Sequence, residues 1–339
     1  MRPPRAGHEG RGRPLNLTDD LQSAIADEVA ALAVEHRELA AAATRLSRRY
    51  REGGPATGLD GSPAAIAAYL VTRLPATWAA TVAALSAVAD ARPAWHPRTL
   101  LDVGGGPGTV LWATTSVWGS LERAAVVEQD PRMLAVGRRM AQRARAPAVR
   151  GARWLASDVT RGDWQQPADL VVAAYVLGEL PPAARARFIE RLVTMATVAV
   201  VVEPGTPEGS ARVLAPREVA LAAGGRTVAP CPHDDACPLA RPDWCHFAAR
   251  VNRTKLHRQI KGAQAPYEDE KFSYGAWTRE PVDRPGPARV LRHPRIDPGR
   301  ITLSLCTMDG TALETVTARD RLPFKAARKV SWGQTWPPA

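Results

Sequence analysis

The apolar positions of the chain follow a helical period first and a strand–helix alternation afterwards, with the change near residue 95. From residue 19 to about residue 50, Leu21, Ile25, Val29, Leu32 and Leu39 recur at helical spacing, with His36 at the one gap in the stripe. Thr18 is placed as the N-cap, with Asp19 and Asp20 in the first turn. His36 reads as a helix-face histidine, and Arg48, Arg49 and Arg51 as a solvated helix end. Residues 52–61 read as a glycine-rich linker, Ser62-Pro63 as a helix start, Leu74-Pro75 as a break and residues 76–91 as a further helix. Short apolar, β-branched runs then alternate with helical ones. Strands are expected at 99–103, 124–127, 154–157, 169–174 and 197–202, the order of an α/β sheet. A helix is expected over 247–260, carrying Arg250, Arg253, His257 and Lys261 along one side with Arg258 nearby. Residues 272–277 and 301–306 read as the last strands of the sheet, and 311–316 as another. This divides the chain into a disordered basic tail (1–15), a helical element (16–95), an α/β core (96–228), a cysteine-rich insertion with a basic helix (229–270) and C-terminal strands that complete the sheet and end in a basic tail (271–339).

The first strand runs into Asp102-Val103-Gly104-Gly105-Gly106-Pro107-Gly108, an acidic residue followed by glycines at 104, 106 and 108, and an apolar helix follows. Glycine lets the backbone turn tightly and approach a ligand closely, and the helix start offers free amides. Glu128 ends the second strand about twenty residues on, where a carboxylate takes both ribose hydroxyls. Asp158 ends the third. This ordered set resembles the class I methyltransferases that bind S-adenosylmethionine, a Rossmann-like α/β fold. The resemblance implies that Asp102, Gly104, Gly106 and Gly108 cradle the methionine part, Glu128 the ribose and Asp158 the adenine. Tyr175-Val176-Leu177-Gly178-Glu179 follows the fourth strand, beside the expected donor site. Tyr175 and Glu179 suit a catalytic role there, and equally suit pocket shaping or helix capping. No Asn-Pro-Pro-Tyr-type tetrad and no suitably placed cysteine nucleophile occurs, so no catalytic residue is assigned.

Composition changes this picture in two respects. The net charge is +11 with a pI near 10.1, mostly from arginine, which suits a polyanion such as RNA. Hydrophobic residues make up 45% of 339, enough for a sizeable core. No run of about 18 apolar residues stands out as a membrane span. Residues 1–14 are basic and glycine-rich without the apolar stretch of a secretory signal, so a cytoplasmic protein with reduced thiols is the expectation.

Three of the four cysteines, Cys231, Cys237 and Cys245, gather in a proline-rich segment without periodicity. Such a segment needs a staple, and in a reducing compartment thiolates select zinc or iron–sulfur. The spacing Cys-x5-Cys-x7-Cys is wider than the close pairs usual in zinc ribbons. With the remote Cys306 the count matches a 4Fe–4S cluster. His233 and His246 remain candidates for a rival zinc site.

The glycine turn, Val202-Glu203-Pro204-Gly205-Thr206-Pro207, the Cys-Pro-His to Trp-Cys-His-Phe segment and Pro266-Tyr267-Glu268-Asp269-Glu270-Lys271-Phe272-Ser273-Tyr274 together carry a second resemblance. From about Tyr69 to Trp332 the chain resembles the small-ribosomal-subunit assembly methyltransferase-like proteins, which are mitochondrial ribosome factors with bacterial relatives. The resemblance implies a 4Fe–4S cluster on Cys231, Cys237, Cys245 and Cys306. It also implies binding to small-subunit rRNA as a monomer on the subunit, with donor binding better supported than methyl transfer. Arg250, Arg253, Arg258 and Lys261, and Lys325, Arg328 and Lys329 near Trp332 and Trp336, are the expected RNA contacts. The alternatives are a small-molecule methyltransferase with structural zinc and an inactive rRNA-binding scaffold.

Overall fold

A computed structural model describes residues 14–51, 61–239, 242–283 and 286–338. The expected tail up to residue 13 and most of the glycine-rich linker (52–60) lie outside the described residues. Among the described residues four helices precede the first strand: α1 (Asp19–Ala31), α2 (His36–Arg51), α3 (Pro63–Thr72) and α4 (Leu74–Ala91). The stripe read as one helix is therefore two, separated where Ala33 takes a positive φ of 49°. Ser62 caps α3, its hydroxyl accepting from the Ala65 amide at 3.2 Å. Residues Pro63–Ala91 are long and apolar enough to cross a membrane, a span the sequence pattern did not single out, but 72% of that window is buried inside the protein. Alanine is its commonest residue, so α4 lies close against the strands beneath.

The α/β core runs β1 (Thr99–Val103), α5 (Thr109–Val117), β2 (Arg123–Glu128), α6 (Pro131–Ala141), α7 (Pro147–Arg150), β3 (Arg153–Ala156), β4 (Ala168–Ala174), α8 (Pro182–Met195), β5 (Ala196–Pro204), α9 (Pro207–Ala222) and β6 (Arg226–Ala229). There follow β7 (Phe247–Asn252), α10 (Lys255–Lys261), β8 (Tyr267–Thr278), β9 (Ala288–Val290), β10 (Arg295–Asp297), β11 (Arg300–Thr307), β12 (Gly310–Thr317), α11 (Arg321–Ala327) and β13 (Thr335–Trp336). The main sheet has the order β3-β2-β1-β4-β5-β8-β6, with β7 also paired to β8. Strands β1 to β5 are mutually parallel, and β8 is antiparallel to β5, β6 and β7. This is the class I methyltransferase arrangement. Its order reverses between β1 and β4, and ligands bind at such a switch point beyond the strands' carboxyl ends.

The structure departs from the sequence reading in three further places. Residues 247–252 are strand β7, and only 255–261 are helical. Phe247, Ala249 and Val251 are buried while their neighbours face outward, a period of two, and Thr254 caps the short helix by accepting from the His257 amide. Second, β11 and β12 do not complete the main sheet. They form a separate five-stranded sheet with β9, β10 and β13, over its own core of Val290, Ile301, Leu303, Leu305 and Val316. Third, Leu15 is not part of a disordered tail: it bridges to Val251 of β7 through backbone bonds.

Candidate donor cradle, cysteine cavity and basic surfaces

The glycine turn begins where β1 ends, and the Gly104 and Gly105 amides donate to Val127 O of β2 at 2.8 and 3.0 Å. The turn glycines serve different ends. A Cβ on Gly104 would strike Val176, on Gly105 the Asp102 carboxyl, and on Gly108 the Trp154 ring, all at 2.8 Å or less. Those three serve packing. Gly106, at φ +55°, faces open space, with only the Tyr69 hydroxyl 3.7 Å from a built Cβ. It leaves open space above the turn. Its amide donates to Glu128 Oε2 at 2.9 Å, and the Asp130 amide donates to Oε1 at 2.8 Å. Burial raises the Glu128 pKa despite the amides that it accepts from. A carboxylate has about four lone-pair sites, so Glu128 keeps acceptor capacity for hydroxyls.

Asp102 departs from expectation. It is fully buried under the turn and offers no atom to a ligand resting above. Burial, and then the charge of Glu128, push its carboxyl up to about 8, against the amides of Leu111 and Val110. Asp158 lies two residues past β3. Its Oδ1 accepts from the Thr160 amide and hydroxyl, both at 2.8 Å, which lowers its pKa. Across the switch point, Tyr175 sits at φ +63°, a strained position for a residue with a side chain. Its hydroxyl donates to Glu270 Oε1 at 2.9 Å, and Arg73 holds Glu270 through two bonds of 2.9 and 3.2 Å.

The four cysteines converge. Cys231 follows β6, Cys237 lies in the loop, Cys245 precedes β7 and Cys306 is on β11, and all four line one cavity of about 40 Å³. A single water needs about 10–15 Å³ by this measure, so a group of several atoms has room. Burial pushes Cys306 up to about 12 and Cys245 well above the usual thiol range, with the neighbouring sulfurs adding to both shifts. Among the described residues no group of three or more His, Cys, Asp or Glu side chains is arranged to hold a metal ion. The sulfurs share a cavity without standing as a preformed ligand set. His233 Nε2 lies 3.6 Å from Cys306 Sγ. The His246 ring stacks on Trp244 at 4.9 Å and meets the edge of Trp332 at 5.0 Å.

The expected basic helix is not an open cationic face. Arg250, on β7, is paired with Asp269 at 2.6 Å and lies over the Tyr267 ring. Arg253, His257 and Lys261 converge on Glu268 at 3.0, 3.3 and 3.5 Å. Burial raises the Glu268 pKa, but these three basic side chains outweigh it and hold the carboxyl far below the usual range. Arg258 is exposed and in no ion pair among the described residues, and the same holds for Lys325, Arg328 and Lys329 at α11. Lys325, Lys329 and Trp332 line one groove of about 1110 Å³, together with Asp90 and the Arg250–Asp269 pair.

Two buried arginines line the cysteine cavity: Arg217, which sequence reasoning missed, and Arg289, which it read only as part of a basic cluster with Arg292 and Arg295. Arg217 had a visible signal, because it falls within the apolar stripe Val213, Pro216, Ala220 of α9.

The family model for the mitochondrial small ribosomal subunit protein Rsm22 matches residues 63–337. The chain belongs to the Rsm22 family. The resemblance read from the glycine turn and the cysteine segment therefore holds. The mitochondrial ribosome assembly protein METTL17 of Homo sapiens is 28% identical over 293 residues, 79% of this chain and 62% of the human protein. The chain thus spans less than two thirds of that relative's length. Among solved structures, magnesium protoporphyrin IX methyltransferase of Synechocystis PCC 6803, with S-adenosylmethionine bound, is 14% identical at a TM-score of 0.39, covering 60% of this chain and 80% of its own. The N-methyltransferase NodS of Bradyrhizobium japonicum WM9, with S-adenosylhomocysteine, is 14% identical at 0.36, covering 57% and 83%. The fold assignment rests on strand order and not on these two. The Rsm22 family and METTL17 are both mitochondrial, which overturns the cytoplasmic expectation. Lack of an apolar secretory stretch bears on export and does not separate one internal compartment from another.

Proposed function

We propose that this Rsm22-family chain is a small-subunit ribosome assembly factor that binds small-subunit rRNA, carries a 4Fe–4S cluster on Cys231, Cys237, Cys245 and Cys306, and binds S-adenosylmethionine over Gly106 and Glu128. One observation carries the reading: Trp332 of the cationic groove stands on His246, which stacks on Trp244, and Cys245 lies between those two residues. The groove wall and the cysteine cavity are thus one packed unit. The shared cavity and the wide cysteine spacing support iron–sulfur over zinc. His246 is engaged with its two tryptophans, while His233 turns Nδ1 to Asp235 O and Nε2 to Cys306. When bound, the cluster supplies soft thiolate–metal bonds that fasten the loop and β11 to the main sheet, and a centre able to hold an electron. Aromatic side chains beside lysines suit unpaired bases flanked by phosphates.

No methyl transfer is assigned. The Tyr175 hydroxyl at the acceptor side is given to Glu270, with Arg73 closing the cluster. A small-molecule methyltransferase that holds zinc would leave the groove lysines without a role.

The test is small-subunit rRNA binding against salt concentration, with protein prepared anaerobically. Lys325→Ala with Lys329→Ala is expected to lower the logarithmic salt slope by about two. Arg253→Ala with Lys261→Ala should leave it unchanged, because both cations are spent on Glu268. The reverse result would return the RNA surface to α10, and no binding by wild type would remove the RNA reading.

A further inference from the structure

Arg217 of α9 and Arg289 of β9 both line the cysteine cavity and are almost wholly buried, at 5% and 7% exposure. A buried guanidinium without a negative partner is costly. Arg73 meets that requirement with Glu270, but among the described residues neither Arg217 nor Arg289 has a carboxylate in ion-pair range. Neutral carbonyls hold both in place. Arg217 Nη2 donates to His233 O at 3.1 Å and to Asp235 O at 2.6 Å, between Cys231 and Cys237. Arg289 donates through Nε to Pro230 O at 2.8 Å, beside Cys231, and through Nη1 to Gly333 O at 2.9 Å. Arg217 Nε is buried and has no hydrogen-bond partner among the described residues. Arg289 is the register partner of Cys306 in the β9–β11 ladder, so the two side chains leave the same face of that sheet.

Two fixed positive charges thus face four sulfurs, and neutral thiols would leave them uncompensated. Four thiolates around an oxidised 4Fe–4S core carry a net charge of −2, and so do four thiolates around zinc. We propose that Arg217 and Arg289 are the built-in counter-charges of the metal group, positioning residues that neutralise it and set its reduction potential. This rests on the metal reading above and deepens it. A one-electron reduction at an electrode takes the group from −2 to −3, and nearby cations favour the added electron. Hydrogen bonds to sulfur act in the same direction.

The experiment uses full-length protein isolated anaerobically, as wild type and as Arg217→Gln, Arg289→Gln, Arg217→Lys and Arg289→Lys. Iron, sulfide and zinc are counted, the midpoint potential is measured, and metal release to a chelator is timed, with circular dichroism as the folding control. The glutamine variants are expected to have a lower potential and to release metal about 10–100-fold more readily, the range typical of lost supporting contacts. The lysine variants are expected to recover much of both. If the chain carries zinc, chelator release alone is the readout, with the same expectation. Loaded glutamine variants with wild-type potential and release rates would overturn the counter-charge role while leaving the metal reading intact. So would lysine variants that fail as badly as glutamine, since that marks shape and not charge. A wild type free of metal and sulfide sinks both.

Discussion

Asp102 stands at the head of the glycine motif but serves the fold beneath it. Its carboxyl is buried, and burial with the Glu128 charge lifts its pKa to about 8 against the amides of Leu111 and Val110. It is therefore a neutral acid at pH 7. In the unfolded chain an aspartate titrates near 3.9, so between about 4 and 8 the folded state holds a proton that the unfolded state lacks. Stability consequently falls as pH rises through that window. Asp102→Asn removes this dependence with little change in shape: its melting temperature should gain on wild type from pH 5 to pH 8, and parallel profiles would contradict the assignment. Gly106 is the complementary case. Alanine there costs about 1–2 kcal/mol for the left-handed backbone and places a methyl on the cradle floor. Calorimetry should find S-adenosylmethionine binding lost or weakened at least tenfold while the far-ultraviolet spectrum is kept. Undiminished binding would remove Gly106 from the donor site. The motif was legible because glycine spacing is local. That Asp102 lies beneath the turn was not legible, because depth is decided by α5 packing over the strand.

At the scale of elements, the clearest departure is the segment after Cys245. Phe247 and Val251 are four apart and fit a helix, yet they are also two steps of an alternation, and only pairing with β8 chooses between these readings. That register sets Arg250 against Asp269 and Val251 against Glu268, bringing the acidic run Glu268-Asp269-Glu270 under the cations expected to meet RNA. Their neutralisation was thus written in the sequence, but in a segment distant from them. Glu268 now anchors Arg253, His257 and Lys261, and its carboxyl is held charged far below the ordinary range. A depressed folded pKa contributes stability that is present above the unfolded value near 4.3 and is lost as pH falls toward the folded one. Glu268→Gln should cost about 3–5 kcal/mol at neutral pH, as for a broken buried pair, and the deficit should shrink below about pH 4. Chemical denaturation at pH 7 and pH 3.5 checks this. An equal deficit at both would assign Glu268 a packing role and not an electrostatic one.

For the whole molecule, the cysteine cavity is the joint between two sheets. Cys231, Cys237 and Cys245 come from the β6–β7 connection of the main sheet, and Cys306 comes from β11 of the second. The sequence displayed the four thiols and the α/β order. It did not display the second sheet, because short strands such as β9, β10 and β13 are only two or three residues long and take their identity from their partners. The groove lined by Lys325, Lys329 and Trp332 runs along this joint, so integrity of the cavity and shape of the proposed RNA surface should rise and fall together. The measurement that tests this most directly is gradient sedimentation of the native protein with ribosomal subunits, followed by mapping of protein–RNA crosslinks, for wild type and Cys245→Ser. Wild type is expected to travel with the small subunit and to crosslink through the α11 to Trp332 segment, and Cys245→Ser to lose both while its α/β core stays folded. Wild type absent from the small subunit, or crosslinked only elsewhere on its surface, would contradict the account.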